Sequence, residues 1–99
     1  MSDASISQLQ VELTAAENKH AELKQEFFEL HSTMREKKAA LDRLKSIHDR
    51  SGNTNKYSRS LELEGEIAEL QQKESIITGA LQETQNNIML LKYRIFNKR

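Results

Sequence analysis

The sequence predicts an all-α fold, an antiparallel two-helix coiled-coil hairpin that associates into a four-helix assembly. Apolar residues recur at every third and fourth position in two separate ladders, which is the spacing of helices that pack along one stripe. The ladders are out of phase, and the segment between them is rich in residues that break or cap helices. We therefore expect the chain to fold back on itself.

The first ladder has no skipped or inserted residue. It comprises Ile6, Leu9, Leu13, Ala16, His20, Leu23, Phe27, Leu30, Met34, Lys37, Leu41, Leu44 and His48. An unbroken alternation of this kind lets a helix bury one stripe against a partner helix. The ladder predicts helix one over about residues 4–50.

The second ladder is equally regular. It comprises Leu63, Ile67, Leu70, Glu74, Ile77, Leu81, Thr84, Ile88, Leu91 and Ile95. Gly52 and Asn53 suit the end of the preceding helix, and Ser58 or Ser60 can cap the next one. We predict a loop over about residues 51–58, helix two over about residues 59–97, and a single hairpin over residues 1–99.

One antiparallel register pairs the charged residue inside each ladder, Lys37 with Glu74. Slipping by one heptad sets each charge against an aliphatic side chain, at a cost of about 3–5 kcal/mol. We therefore predict a Lys37–Glu74 ion pair that fixes the register. The same register places Lys45 beside Glu64 on the edge of the seam.

The side of helix two that faces away from the seam carries no charge, although a solvated coiled-coil back usually carries Glu and Lys. Two glycines interrupt it, each at a cost of about 1 kcal/mol relative to alanine. We predict a partner or oligomer interface there, extended by two residues of helix one. The predicted interface comprises Leu61, Gly65, Ala68, Ser75, Gly79, Met89, Tyr93, Phe96, Val11 and Phe28. The alternative is an ordinary solvated surface in which the glycines are tolerated.

The composition of the chain limits the cellular compartments and the classes of ligand that we expect. The formal net charge is zero, which argues against general binding of nucleic acids or anionic membranes. Cysteine is absent, and no apolar run reaches the roughly 18 residues that cross a bilayer. We expect a cytoplasmic protein, with the nucleus as the alternative, and no membrane insertion.

The sequence also predicts no enzyme, no catalytic residue, no metal site and no cofactor. His20, His31 and His48 are too far apart along a helix to share a metal. No glycine pattern resembles a phosphate-binding loop, and a helical hairpin provides no enclosed pocket.

These observations favour a non-catalytic coiled-coil module for protein–protein interaction or oligomerisation, acting as a scaffold. Its partner is expected to be a second copy, with a dimer favoured, or a helical partner subunit. One alternative is a recognition hairpin, an adaptor or effector segment that binds a folded partner such as a small GTPase or a cytoskeletal subunit. Another is electrostatic binding to an acidic polymer through Lys56, Arg59 or residues 92–99.

Overall fold

The chain forms two long helices that pack against each other as an antiparallel hairpin. The computed structural model describes residues 3–46 and 54–98, with side chains over residues 6–46 and 56–98. Helix α1 is Asp3–Ser46 and helix α2 is Thr54–Lys98. The predicted all-α hairpin is confirmed. The four-helix assembly stays a prediction.

Helix α2 begins earlier than the sequence predicted. It starts at Thr54, so Ser58 and Ser60 lie inside the helix and do not cap it. No acidic residue lies in its first turn. The chain has neither glycine nor proline between Thr54 and Glu64, so nothing in the sequence prevents an early start. The predicted roles of His48, Gly52 and Asn53 fall outside the described residues.

Burial follows the two ladders closely. Every ladder residue from Ile6 to Leu44 and from Leu63 to Ile95 is buried or half-buried. The fully buried ones are Ala16, Leu30, Met34, Leu41, Leu63, Ile67, Thr84, Leu91 and Ile95. The heptad positions therefore form the seam between the helices, as predicted.

The hairpin divides into two compact units. The loop-side unit is Phe28–Ile76, and its core is a cluster of Leu41, Leu63 and Ile67 with Ala40 and Leu44 packed against it. Leu63 is the most enclosed of these side chains, at 1% exposure. Leu63 is thus the main apolar anchor of this unit.

The terminal unit is Met1–Phe27 together with Ile77–Arg99. Its buried residues are Ala16, Thr84, Leu91 and Ile95. Thr84 is the polar member, and its hydroxyl donates a hydrogen bond to the Ala80 carbonyl at 2.7 Å. That bond back to the preceding turn satisfies the hydroxyl, so burying it costs little.

The core of the loop-side unit predicts the effect of a truncation. Leu63→Ala should destabilise the protein by about 2–5 kcal/mol, because it removes buried methyl groups and leaves a cavity. Urea denaturation followed by circular dichroism at a fixed protein concentration measures this loss. Val11→Ala, at a residue that is 64% exposed, is the control and should change stability by less than about 0.5 kcal/mol. Equal losses in the two variants would contradict the assignment of the core.

Candidate interaction surface

Ion pairs link α1 to α2 in the loop-side unit, but the predicted Lys37–Glu74 pair is wrong. The ammonium of Lys37 donates a hydrogen bond to Oε2 of Glu66 at 3.0 Å. Glu74 instead lies beside His31, with Oε2 3.1 Å from Nε2. The predicted neighbours Lys45 and Glu64 do meet, at 3.6 Å.

The register prediction failed because it treated both seam charges as fully buried. The side chains of Lys37 and Glu74 are 29% and 33% exposed, so each charge keeps part of its hydration. The cost of separating them is then far smaller than for a buried pair. The apolar side chains decide the register. Leu41 packs in one cluster with Leu63 and Ile67, whereas the predicted register paired it with Leu70.

The Lys37–Glu66 contact changes the chemistry of the carboxyl. The hydrogen bond from Lys37 lowers the pKa of Glu66 below its ordinary value. Desolvation opposes this shift, while the charges of Lys37 and Arg59 add to it. Arg59 also pairs with Glu62 at 3.0 Å one turn away. Glu66 therefore stays ionised under mildly acidic conditions in which a free glutamate begins to take up a proton.

A shallow depression lies on the loop-side unit beside His31 and Glu74. It is lined by His31, Met34, Arg35, Lys38, Gln71 and Glu74. The Nε2 atom of His31 is shielded from solvent and faces the Glu74 carboxylate, although much of the ring is exposed. The depression is open to water, so it lacks the enclosure that small-molecule sites usually have.

The outward face of α2 in the loop-side unit presents the small residues predicted for an interface. Gly65, Ala68 and Ser75 are exposed, and Leu61 is 51% exposed. A methyl group added at Gly65 would meet no atom within 4 Å. Within the described residues, nothing requires a glycine at this position.

The same face in the terminal unit presents large apolar residues. Met89, Tyr93 and Phe96 are 62%, 64% and 76% exposed. They are spaced by four and three residues, so they share one side of the helix. Gly79 lies on the same side, and a methyl group added there would also meet open space. The residues of the predicted interface are thus accessible, and their role stays a prediction.

Of the two α1 residues predicted for the interface, Val11 does not join this surface. Val11 borders an open depression lined only by α1 residues, which are Ser7, Gln10, Val11, Thr14, Ala15 and Asn18. Phe28 is 65% exposed and belongs to the loop-side unit. Val11 lies on the back of α1, so it cannot extend the outward face of α2.

Two further exposed apolar residues on α2 were missing from the predicted interface. Ile76 is 72% exposed and Leu90 is 47% exposed. Both directly follow an interface position, Ser75 and Met89 respectively. The sequence signal for these two residues was an apolar side chain at a helical position beside the outward face, where a solvated helix usually carries a polar residue.

No known protein family matches this chain, and no curated protein or solved structure matches it either. Within the described residues, neither helix has a stretch long and apolar enough to cross a membrane. The same part of the chain holds no group of three or more histidine, aspartate or glutamate side chains placed to bind a metal ion.

The lowered pKa of Glu66 predicts a pH dependence. A depressed carboxyl pKa adds stability that is fully present above the unfolded value, roughly 4.3, and is lost as the pH falls through the folded value. Glu66→Gln removes this pH-dependent stabilisation. The melting temperature of the variant should therefore fall less than that of the wild type between about pH 5 and pH 3. Thermal melts across this range make the measurement.

Glu69→Gln is the matched control for this experiment. Glu69 lies on the same helix and has no ion pair with any side chain that the structure describes. Its substitution should leave the acid slope close to that of the wild type. If Glu66→Gln and Glu69→Gln flatten the slope equally, the Lys37 contact has no specific effect.

Proposed function

We propose that this chain is a non-catalytic coiled-coil interaction module that associates with itself through the outward face of α2. A dimer of hairpins, which makes four helices, is the favoured state. The observation that supports this best is the exposure of Met89, Tyr93 and Phe96 on one side of the helix. These side chains have no part in the seam with α1.

Contact with water is unfavourable for the apolar side chains on this face. Burying one large apolar side chain contributes about 1.5–3 kcal/mol to the free energy of association. Burial of all three would outweigh the cost of removing a few neighbouring polar groups from water. Contiguous apolar patches of this kind are uncommon on monomers and usually mark an interaction site. An interface core that is uncharged and carries Tyr, Phe and Met also matches the composition of protein–protein contacts.

The proposed mechanism is geometric. Each hairpin has its own apolar seam, so it can hold its helices together before a partner arrives. Association through α2 would then fix the positions of whatever is attached to the two chains, which is the action of a scaffold. The absence of cysteine supports the cytoplasm as the proposed compartment, with the nucleus as the alternative.

Light scattering across a dilution series tests self-association. The wild type should show about twice the chain mass of 11.4 kDa near 100 µM and approach a single chain on dilution. Tyr93→Glu should raise the dissociation constant by at least about tenfold, because it places a charge in the apolar contact. Circular dichroism should show that its helix content is retained.

Val11→Glu is the matched control, because Val11 and Tyr93 are equally exposed, at 64%, and both substitutions introduce the same charge. It should leave the mass unchanged. A single-chain mass for the wild type at every concentration would overturn self-association and favour recognition of a different folded protein. Equal dissociation by both variants would overturn the assignment to α2.

A further inference from the structure

Two patches on the outward face of α2 complement each other in size. The loop-side patch consists of Leu61, Gly65 and Ala68, in which the two residues nearest the middle of the helix are small. The terminal patch consists of Met89, Tyr93 and Phe96, which are large and mostly exposed. Apolar surfaces bind best where large side chains fill the space that small ones leave.

Along α2 itself the two patches lie in segments of different charge, although Lys37, Lys45 and Arg59 pair with three of the acidic side chains of the loop-side segment. Residues 61–75 carry five acidic side chains and one basic one, whereas residues 79–98 carry one acidic side chain and three basic ones. Lys92, Arg94 and Lys98 make no ion pair with any carboxylate in the described part of the chain. The terminal patch therefore has a basic border on α2 that an acidic partner surface would match.

Both patches belong to one helix, α2. We infer that the outward face of α2 binds the same face of a second copy in antiparallel orientation, so that the loop-side patch of each chain covers the terminal patch of the other. This inference rests on the proposed self-association and specifies its partner and orientation. The contact would be isologous, because each copy supplies both patches.

The spacing of residues around Gly79 supports one register. Gly65 and Tyr93 both lie fourteen residues from Gly79, and Gln72 and Asn86 both lie seven residues from it. If Gly79 of one copy meets Gly79 of the other, Tyr93 lies over Gly65 and Gln72 over Asn86. With no side chain at the centre, the two helices can approach closely there.

The neighbouring layers agree with this register. Met89 then lies over Ala68 and Phe96 over Leu61, so each large residue of the terminal patch meets a residue of the loop-side patch. Lys92 falls beside Glu64 at the edge of the contact. Glu64 is about half exposed despite its 3.6 Å contact with Lys45, so it can accept a second cation.

A parallel arrangement of the same faces is less favourable. It would set Tyr93 against Tyr93 and Gly65 against Gly65, leaving crowding at one end and empty space at the other. It would also place Lys92 against Lys92 and Glu64 against Glu64. Like charges opposed across an interface disfavour that pairing. The antiparallel arrangement removes both conflicts.

Disulfide trapping distinguishes these arrangements, and the chain has no natural cysteine to interfere. Single variants Gly79→Cys, Gln72→Cys and Asn86→Cys are oxidised mildly, alone and in an equal mixture of the last two. The reduced proteins are first checked for dimer mass by light scattering. Gly79→Cys should link to itself, and the mixture should form a linked pair of unlike chains.

Gln72→Cys alone and Asn86→Cys alone are the matched controls, because all three positions are exposed on the same helix. In the inferred register each lies fourteen residues, about 21 Å, from its own copy along the helix axis. Each should form at least about tenfold less linked dimer than the mixture, since a disulfide needs Cα atoms within about 7 Å.

The outcomes separate this inference from the proposed function. If the reduced proteins are dimeric but Gln72→Cys links to itself, the antiparallel orientation is wrong while self-association stands. Dimeric proteins in which neither Gly79→Cys nor the mixture links would overturn this face as the contact. A single-chain mass for the wild type would overturn both the inference and the proposed function.

Discussion

The packing of two apolar heptad ladders against each other is the interaction on which the whole molecule depends. Helices as long as α1 and α2 gain most of their stability in proteins from tertiary packing of one face. Here that face is supplied by Leu30, Met34 and Leu41 on α1 and by Leu63 and Ile67 on α2. Since the seam uses only one side of α2, the opposite side remains available for another contact.

The charged residues along the seam adjust the structure without determining it. Lys37 with Glu66 and Lys45 with Glu64 lie at partly exposed positions, where an ion pair contributes little to stability. The contact of His31 with Glu74 is partly exposed as well. The long side chains of lysine and glutamate can reach partners above or below their own level on the facing helix. Such pairs can therefore form in several alignments of α1 and α2. The fit of apolar side chains therefore sets the alignment of α1 and α2 in the loop-side unit.

The sequence predicted the hairpin and its buried residues because the heptad period directly specifies which side of a helix is apolar. It located the outward face of α2 for the same reason, and Met89, Tyr93 and Phe96 are exposed as that period requires. It did not predict the partners of Lys37 and Glu74, because side-chain reach and partial hydration have no periodic signal. The start of α2 at Thr54 was missed because Thr and Asn suit both a loop and a helix start.

The exposed glycines and the uncharged face of α2 would share one explanation if a second helix covered that face. A solvent-exposed helix surface normally carries charged residues and avoids glycine, because each glycine costs about 1 kcal/mol. The open space beside Gly65 and Gly79 offers no compensation from the part of the chain that the structure describes. In the association proposed above, close approach of a second helix would compensate for the glycines and would bring the small residues against the large ones further along α2.

Hydroxyl-radical footprinting tests most directly whether α2 uses one face for α1 and the other for a second copy. Tyr57 and Tyr93 are matched reporters, because both lie on α2 and are 69% and 64% exposed in the single chain. The account predicts that Tyr93 becomes protected from oxidation as the protein concentration rises, while Tyr57 remains as reactive as in dilute solution. Equal reactivity of the two tyrosines at every concentration would contradict it.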